Sequence, residues 1–279
     1  MKSSSLVNRS LIVLLLTYFT VNLCAQQQTG NNGFEPQVGK EGKDVIWVPT
    51  PDELVNKMME IAEVTAKDFL IDLGSGDGRT VIAAAKRGAT AIGIEFNPDM
   101  VELSKKNAEK AGVSAKAKFI KADLFEADLS QATVITMFLL PEINLKLRPR
   151  LLDLKPGTRI VSNTFTMGDW EPDSEVTSED TNNSWNTALK WFVPAKVEGT
   201  WKLGSGELKI SQEFQKLSGT FKSDNKTSNI SDGRLKGDMI TFSIDGAIYT
   251  GHVNGKTTME GTVTTSSAKK DLTATYTGS

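Results

Sequence analysis

From residue 52 onward, apolar side chains recur every three or four positions. Leu54, Met58 and Ile61 fall on one side of a helix. Thr50-Pro51-Asp52-Glu53 precedes them and reads as its start, with Thr50 as N-cap, Pro51 in the first turn and Glu53 completing a capping box. Residues 69–73 then form a short apolar run ending in glycine-rich sequence, as a buried strand does. The alternation continues: a helix over 80–86 stopped by Gly88, a strand over 90–94, and a helix opened by Asn97-Pro98 and closed by Gly112. Strands follow over 118–121 and 133–138. Next comes a helix over 141–154, in which Pro149 forces a break or restart, and then a strand over 158–163. Two further strands, over 175–178 and 186–193, have no long helix between them. Alternating strands and helices predict a doubly wound α/β domain with a seven-stranded, mainly parallel sheet covered on both faces.

Past Pro194 the helical period stops. Trp201, Leu208, Ile210, Phe221, Ile240, Phe242, Ile244, Tyr249, Val253, Met259, Val263, Leu272 and Tyr276 lie in short alternating runs. Asp232-Gly233, Asp245-Gly246 and Asn254-Gly255 are hairpin-turn signals between those runs. Residues 196–279 are therefore expected to form a small antiparallel all-β domain, a meander or a barrel. His252, Trp201 and Tyr249 in these runs are read as ordinary surface or core residues.

The N-terminus has a different pattern. Lys2 and Arg9 flank the start of an apolar run over 11–23, too short for a comfortable membrane span, and Cys24-Ala25 precedes three glutamines. This reads as a signal peptide over 1–25, cleaved after Ala25, giving an exported, periplasmic or extracellular protein. An uncleaved anchor is the alternative, and the protein is cytoplasmic if the segment is not used. Leu23 stands where a lipoprotein signal needs a small residue. Residues 26–43, polar and glycine-rich, read as a flexible linker, and residues 44–194 as the α/β domain.

Composition narrows the chemistry. The chain has 279 residues, a net charge of -2, one cysteine and one histidine. Lys and Arg are spread along it, so no nucleic-acid partner is expected. Cys24 lies in the leader, which removes cysteine chemistry, and no carboxylate cluster has metal spacing.

Asp72-Leu73-Gly74-Ser75-Gly76-Asp77-Gly78-Arg79 follows a strand and opens a helix, the setting of a cofactor loop. A dinucleotide loop would place its third glycine at position 79, where this chain has Arg79. Asp72 and Asp77 would repel a pyrophosphate; they suit a ligand with a cationic amine and a sulfonium, as S-adenosyl-L-methionine has. A plain glycine-rich turn is the other reading. Glu95 ends the second strand about twenty residues later, where a carboxylate can accept ribose hydroxyls. Asp123 holds the matching place after the third strand, where it could accept an adenine amino group with Leu124 against the ring. It could equally be a turn residue.

Residues 44–194 resemble the class I S-adenosylmethionine-dependent methyltransferases, and more closely the lysine methyltransferases that include those acting on the ATP synthase c-subunit. The likeness is carried by Trp47-Val48-Pro49-Thr50-Pro51, the 72–78 loop, Gly93-Ile94-Glu95, Ala122-Asp123-Leu124-Phe125, Phe138-Leu139-Leu140-Pro141-Glu142 and Arg159-Ile160-Val161-Ser162. The resemblance implies a Rossmann-like sheet and a cofactor held by Asp72, Gly74, Gly76, Glu95 and Asp123; Ser75 and Leu124 are read with them as cofactor-binding residues. It also implies an acceptor side lined by residues 47–49 and 138–141, with Trp47, Phe138 and Pro141 as the candidate catalytic residues. An oxygen acceptor usually needs a base or a metal, whereas a lysine amine needs mainly an apolar pocket that disfavours its charged form. A protein lysine is thus the expected acceptor. A small-molecule methyltransferase, and a non-catalytic nucleotide-binding protein whose β domain binds a partner, are the competing readings.

Overall fold

The computed structural model describes residues 34–39, 47–179 and 184–278. The expected signal peptide, its expected cleavage after Ala25 and most of the expected 26–43 linker lie outside these residues.

The α/β domain contains β1 (Phe69–Leu73), β2 (Thr90–Glu95), β3 (Ala117–Lys121), β4 (Val134–Met137), β5 (Arg159–Asn163), β6 (Ser174–Thr177) and β7 (Thr187–Phe192), with α1 (Asp52–Ile61), α2 (Arg79–Lys86), α3 (Pro98–Lys110) and α4 (Pro141–Leu152). The strands form one sheet in the order β3-β2-β1-β4-β5-β7-β6. The first five run parallel; β7 is antiparallel to β5, and β6 to β7. Successive side chains of a strand leave opposite faces, and the burial follows. Leu70, Val134 and Val161 meet α1, α2 and α3 on one face, through Leu54, Met58, Val81, Ala84 and Val101. Ile71, Ile135 and Ile160 meet Leu147 and Leu151 of α4 on the other, with Trp170 and Trp191. Strand order reverses between β1 and β4, so the crevice beyond their carboxyl ends is where such a sheet binds ligands.

Three local expectations are corrected. The capping box at Thr50 does not form: α1 starts at Asp52 with Pro51 as N-cap and no side-chain cap. Thr50 instead accepts a hydrogen bond from the Asn163 side chain (3.2 Å) at the end of β5, and Glu53 accepts from the Glu179 N–H (2.8 Å). Pro149 does not interrupt α4, which runs unbroken from Pro141 to Leu152. The carbonyl that its missing N–H would have met belongs to Leu145, on the exposed side of the helix. Finally, Asp232-Gly233 is not a hairpin turn but a bulge within a strand. Asp232 has φ 53°, and the register shifts between Ser231 and Arg234.

The second domain is a closed antiparallel eight-strand barrel. Its strands are β8 (Gly199–Leu203), β9 (Gly206–Glu213), β10 (Lys216–Ser223), β12 (Ser231–Lys236), β13 (Met239–Ile244), β14 (Ala247–Asn254), β15 (Thr258–Thr264) and β16 (Lys269–Gly278), with the short β11 (Lys226–Asn229) paired beside β10. Pairing of β9 with β10 closes the ring. Trp201, Leu208, Ile210, Leu235, Ile240, Phe242 and Val253 fill it. Among the described residues no helix is long and apolar enough to cross a membrane.

Candidate active site

The loop leaving β1 is shaped by glycines that occupy the left-handed region: φ is 75° at Gly74, 53° at Gly76 and 83° at Gly78. Space reinforces that requirement. A Cβ on Gly76 would lie 2.7 Å from the Trp47 indole nitrogen, and one on Gly78 would lie 2.7 Å from the Phe119 ring. The loop is tied down on several sides. The N–H groups of Gly74 and Ser75 donate to the Ile94 carbonyl (2.9 and 3.0 Å). From α3, the Ser104 hydroxyl donates to the Gly76 carbonyl (2.8 Å) and the Asn107 amide to that of Asp77 (2.9 Å). Arg79 clasps Asp77 at 2.6 Å and donates to the Thr50 carbonyl (2.8 Å). The residue that breaks the dinucleotide pattern thus braces the loop from inside the chain.

Three carboxylate residues stand at this end of the sheet. Glu95, at the end of β2, accepts the N–H of Gly76 and that of Asn97 (both 2.9 Å), which fixes its orientation. Asp72, at the end of β1, is buried and accepts the Thr136 hydroxyl at 2.6 Å. Burial pushes its carboxyl up to about 7; the Thr136 bond opposes this, and the negative Glu95 and Asp77 add to it. Asp123 stands just past β3, beside Glu95, since the Ala122 N–H donates to the Glu95 carbonyl (3.0 Å). Its own carboxylate accepts the Phe125 N–H (2.9 Å). Leu124 is half-buried against the α4 face of the sheet.

Asp72, Gly74, Gly76, Glu95 and Asp123 are therefore brought to one end of the sheet. Ser75 lies in the same loop, with its side chain turned toward β2. Its side chain is buried against Gly93 of β2, whose Cβ would lie 2.5 Å from the Ser75 hydroxyl, and that hydroxyl has no hydrogen-bond partner. Its side chain is a packing element of the loop.

Of the residues expected on the acceptor side, Trp47 adjoins the loop, and Leu139, beside Phe138, does too. Trp47 covers Gly76, and the Leu139 side chain lies 3.1 Å from where a Gly74 Cβ would stand. Phe138, next to Leu139, stacks on Phe165 with ring centres 5.8 Å apart and meets Trp185 edge-on at 5.9 Å. Pro141 is the first residue of α4. Sequence reasoning found Phe138 but missed Phe165, which follows β5, and Trp185, which precedes β7. Trp185 is a lone aromatic in a polar stretch, whereas Phe165 shares its loop with Met167 and Trp170.

This end of the sheet fits S-adenosyl-L-methionine. Its excess of carboxylates suits a cationic ligand, the glycines permit close backbone approach, and Glu95 is held rigidly at the strand end. Glu95 and Asp123 would hold the nucleoside, and Asp72 the cationic part.

Comparison with known proteins agrees. The ANTKMT methyltransferase domain family matches residues 72–174. A protein-lysine N-methyltransferase of Saccharolobus islandicus is 45% identical over 50% of this chain and 88% of its own. The human lysine N-methyltransferase of the ATP synthase c-subunit is 41% identical over 50% of this chain, which spans 59% of that relative's length. A crystal structure described as an RNA methyltransferase from Salinibacter ruber with S-adenosyl-L-homocysteine is 49% identical, with a TM-score of 0.51, over 54% of this chain and 96% of its own. With the loop, strand order and acidic strand ends already in place, these likenesses settle the lineage: the chain belongs to the S-adenosylmethionine-dependent methyltransferases of the ANTKMT type.

Proposed function

We propose that the protein transfers a methyl group from S-adenosyl-L-methionine to the side-chain amine of a lysine in a protein acceptor. The observation that carries this reading is the 45% identity to a protein-lysine N-methyltransferase across nearly that relative's whole length. The geometry supports it. Phe138 follows β4 next to Leu139, which approaches Gly74, and it packs with Phe165 and Trp185 into a cluster of rings. Ring faces attract an ammonium on approach, and an apolar setting favours the neutral amine that attacks.

When bound, S-adenosyl-L-methionine supplies an electrophilic methyl on a sulfonium. The chain's own residues do the rest. Glu95 and the 74–78 backbone position the cofactor end, Trp47 and Leu139 exclude water above the loop, and the aromatic rings align the acceptor for in-line attack. The amine would gain the methyl as the methyl–sulfur bond breaks, S-adenosyl-L-homocysteine would leave, and the methylated ammonium would release a proton to solvent.

An RNA acceptor is the second reading, favoured by the description of the Salinibacter structure. A net charge of -2 weighs against it, because RNA binding draws on clustered basic side chains. Incubating the full chain with radiolabelled cofactor and cell extract separates the readings. Protease-sensitive label supports lysine transfer; nuclease-sensitive label supports RNA; label only in small molecules overturns both. We further propose that the chain is exported, on the strength of the signal-peptide pattern expected over 1–25. Fractionation with N-terminal sequencing tests it, and a mature chain starting at Met1 in the cytoplasm refutes it.

A further inference from the structure

The Salinibacter neighbour is covered over 96% of its length by 54% of this chain, so the methyltransferase fold closes without a barrel of this kind. Here the barrel grips one particular segment. Phe214, at the tip of the hairpin between β9 and β10, takes φ 52° and stacks on Trp170 at 5.9 Å and 18°. The Arg148 guanidinium of α4 lies 5.2 Å from the centre of the same ring. Beside it the Gln215 side chain, 1% exposed, donates to the Glu171 carbonyl (2.8 Å), and Lys216 pairs with Glu171 at 2.6 Å.

Trp170 and Glu171 end the segment 163–171, which starts at the acceptor-side wall. Thr164 there has φ 60°, a strained conformation for a β-branched residue, and it persists only if its surroundings hold it. From the inside, the Asn144 amide donates to the carbonyls of Phe165 and Thr166 (both 3.2 Å). Arg148 donates to the Met167 carbonyl (2.8 Å) and pairs with Asp169. Arg148 is thus shared between the segment and the barrel's Phe214.

We propose that the barrel serves catalysis as a clamp: Phe214 is a positioning residue that, through Trp170 and Arg148, fixes the segment presenting Phe165 to the methyl acceptor. The barrel acts on acceptor geometry and leaves the cofactor loop alone. The proposal depends on the lysine reading only for the acceptor used to test it.

The test compares the full-length protein with Phe214→Ala and Phe214→Tyr. Amide hydrogen exchange reads the segment without any acceptor; KM and kcat with poly-lysine read catalysis; calorimetry reads S-adenosylhomocysteine affinity. Phe214→Ala is expected to speed exchange in 163–171 at least tenfold, with 72–79 unchanged. KM for poly-lysine should rise about fivefold or more, with cofactor-product affinity within twofold of the parent. Phe214→Tyr, which keeps the ring, should restore both. Unchanged exchange in 163–171 overturns the proposal, as does faster exchange with unaltered KM. Parallel loss of cofactor-product affinity also overturns it, by showing general loosening. A parent protein inactive on every lysine acceptor would refute the lysine reading, while the exchange arm still decides the clamp.

Discussion

The site's electrostatics are decided by two carboxylates with different surroundings. Glu95 commits two lone pairs to the N–H groups of Gly76 and Asn97, which leaves it rigid and able to accept from a ligand. Glu95→Ala is expected to weaken S-adenosylmethionine binding by about 1–3 kcal/mol, the cost of lost hydrogen bonds to a charged group. Calorimetry checks this, and unchanged affinity would remove Glu95 from the site. Asp72 behaves differently because burial raises its carboxyl to about 7. In the free protein its proton is favoured between an ordinary carboxylate value and 7, so the native state binds more protons than the unfolded state in that window. Its contribution to stability is therefore full below about 3.8 and is lost as pH rises through 7. Binding runs the other way: a cationic ligand favours the ionised carboxylate, so affinity for S-adenosylmethionine should tighten from pH 6 to pH 8. Affinity for S-adenosylhomocysteine, which lacks the sulfonium charge, should tighten less. Asp72→Asn should flatten the difference; an equal slope for both ligands, or for the variant, would contradict the assignment.

The loop and its supporting strand work as one packed element, and Gly93 is the pivot. A methyl at Gly93 would meet the Ser75 hydroxyl at 2.5 Å and the Phe119 ring at 2.7 Å. Gly93→Ala should destabilise by about 1–3 kcal/mol through overpacking. Ser75→Ala should leave stability unchanged or raise it by up to about 1 kcal/mol, because it removes a buried hydroxyl with no partner. Combined, the two should be only slightly less harmful than their sum: Ser75→Ala clears the hydroxyl contact, while the Ser75 Cβ at 2.6 Å and the Phe119 ring at 2.7 Å stay in the way. Urea denaturation of the single and double variants reads this; strict additivity would mean the residues do not share that space. This element also marks what the chain discloses unaided. The strand-loop-helix order was legible because apolar runs, Gly and Pro punctuate it locally. The inward turn of Ser75 was not, because it depends on Gly93, far along the chain and in a different strand. Thr50 likewise carries the local signature of a cap, yet a tertiary partner, Asn163, takes its hydroxyl. Phe138, Phe165 and Trp185 meet only once β4, β5 and β7 are aligned, and no local period announces such a meeting. Closure of the barrel by β9 and β10 is visible only as a pairing.

At the scale of the whole chain, the two domains are joined by matched surfaces, so they should unfold together. Trp170 is fully buried, and the barrel's Phe214 is stacked on it. The Ala195 N–H, between β7 and β8, donates to the Gly237 carbonyl (2.8 Å), so backbone hydrogen bonding continues between the two domains. The junction also holds an ion pair whose two ends are unequal. Asp173 is 8% exposed at its side chain and accepts both the Phe192 N–H (2.8 Å) and Arg234 (2.7 Å), whereas the Arg234 side chain is 50% exposed. Removing Arg234 takes away a half-solvated cation and leaves Asp173 one good partner, so Arg234→Ala should cost no more than about 1 kcal/mol. Removing Asp173 strands a backbone N–H on the sheet as well as the arginine, so Asp173→Ala should cost about 1–3 kcal/mol. Calorimetric melting of both variants tests the asymmetry. It also tests the coupling: a single transition that moves with Asp173→Ala means the barrel and the sheet share one cooperative unit. Two separated transitions, with only one displaced, would mean that the barrel is a passenger on the enzyme.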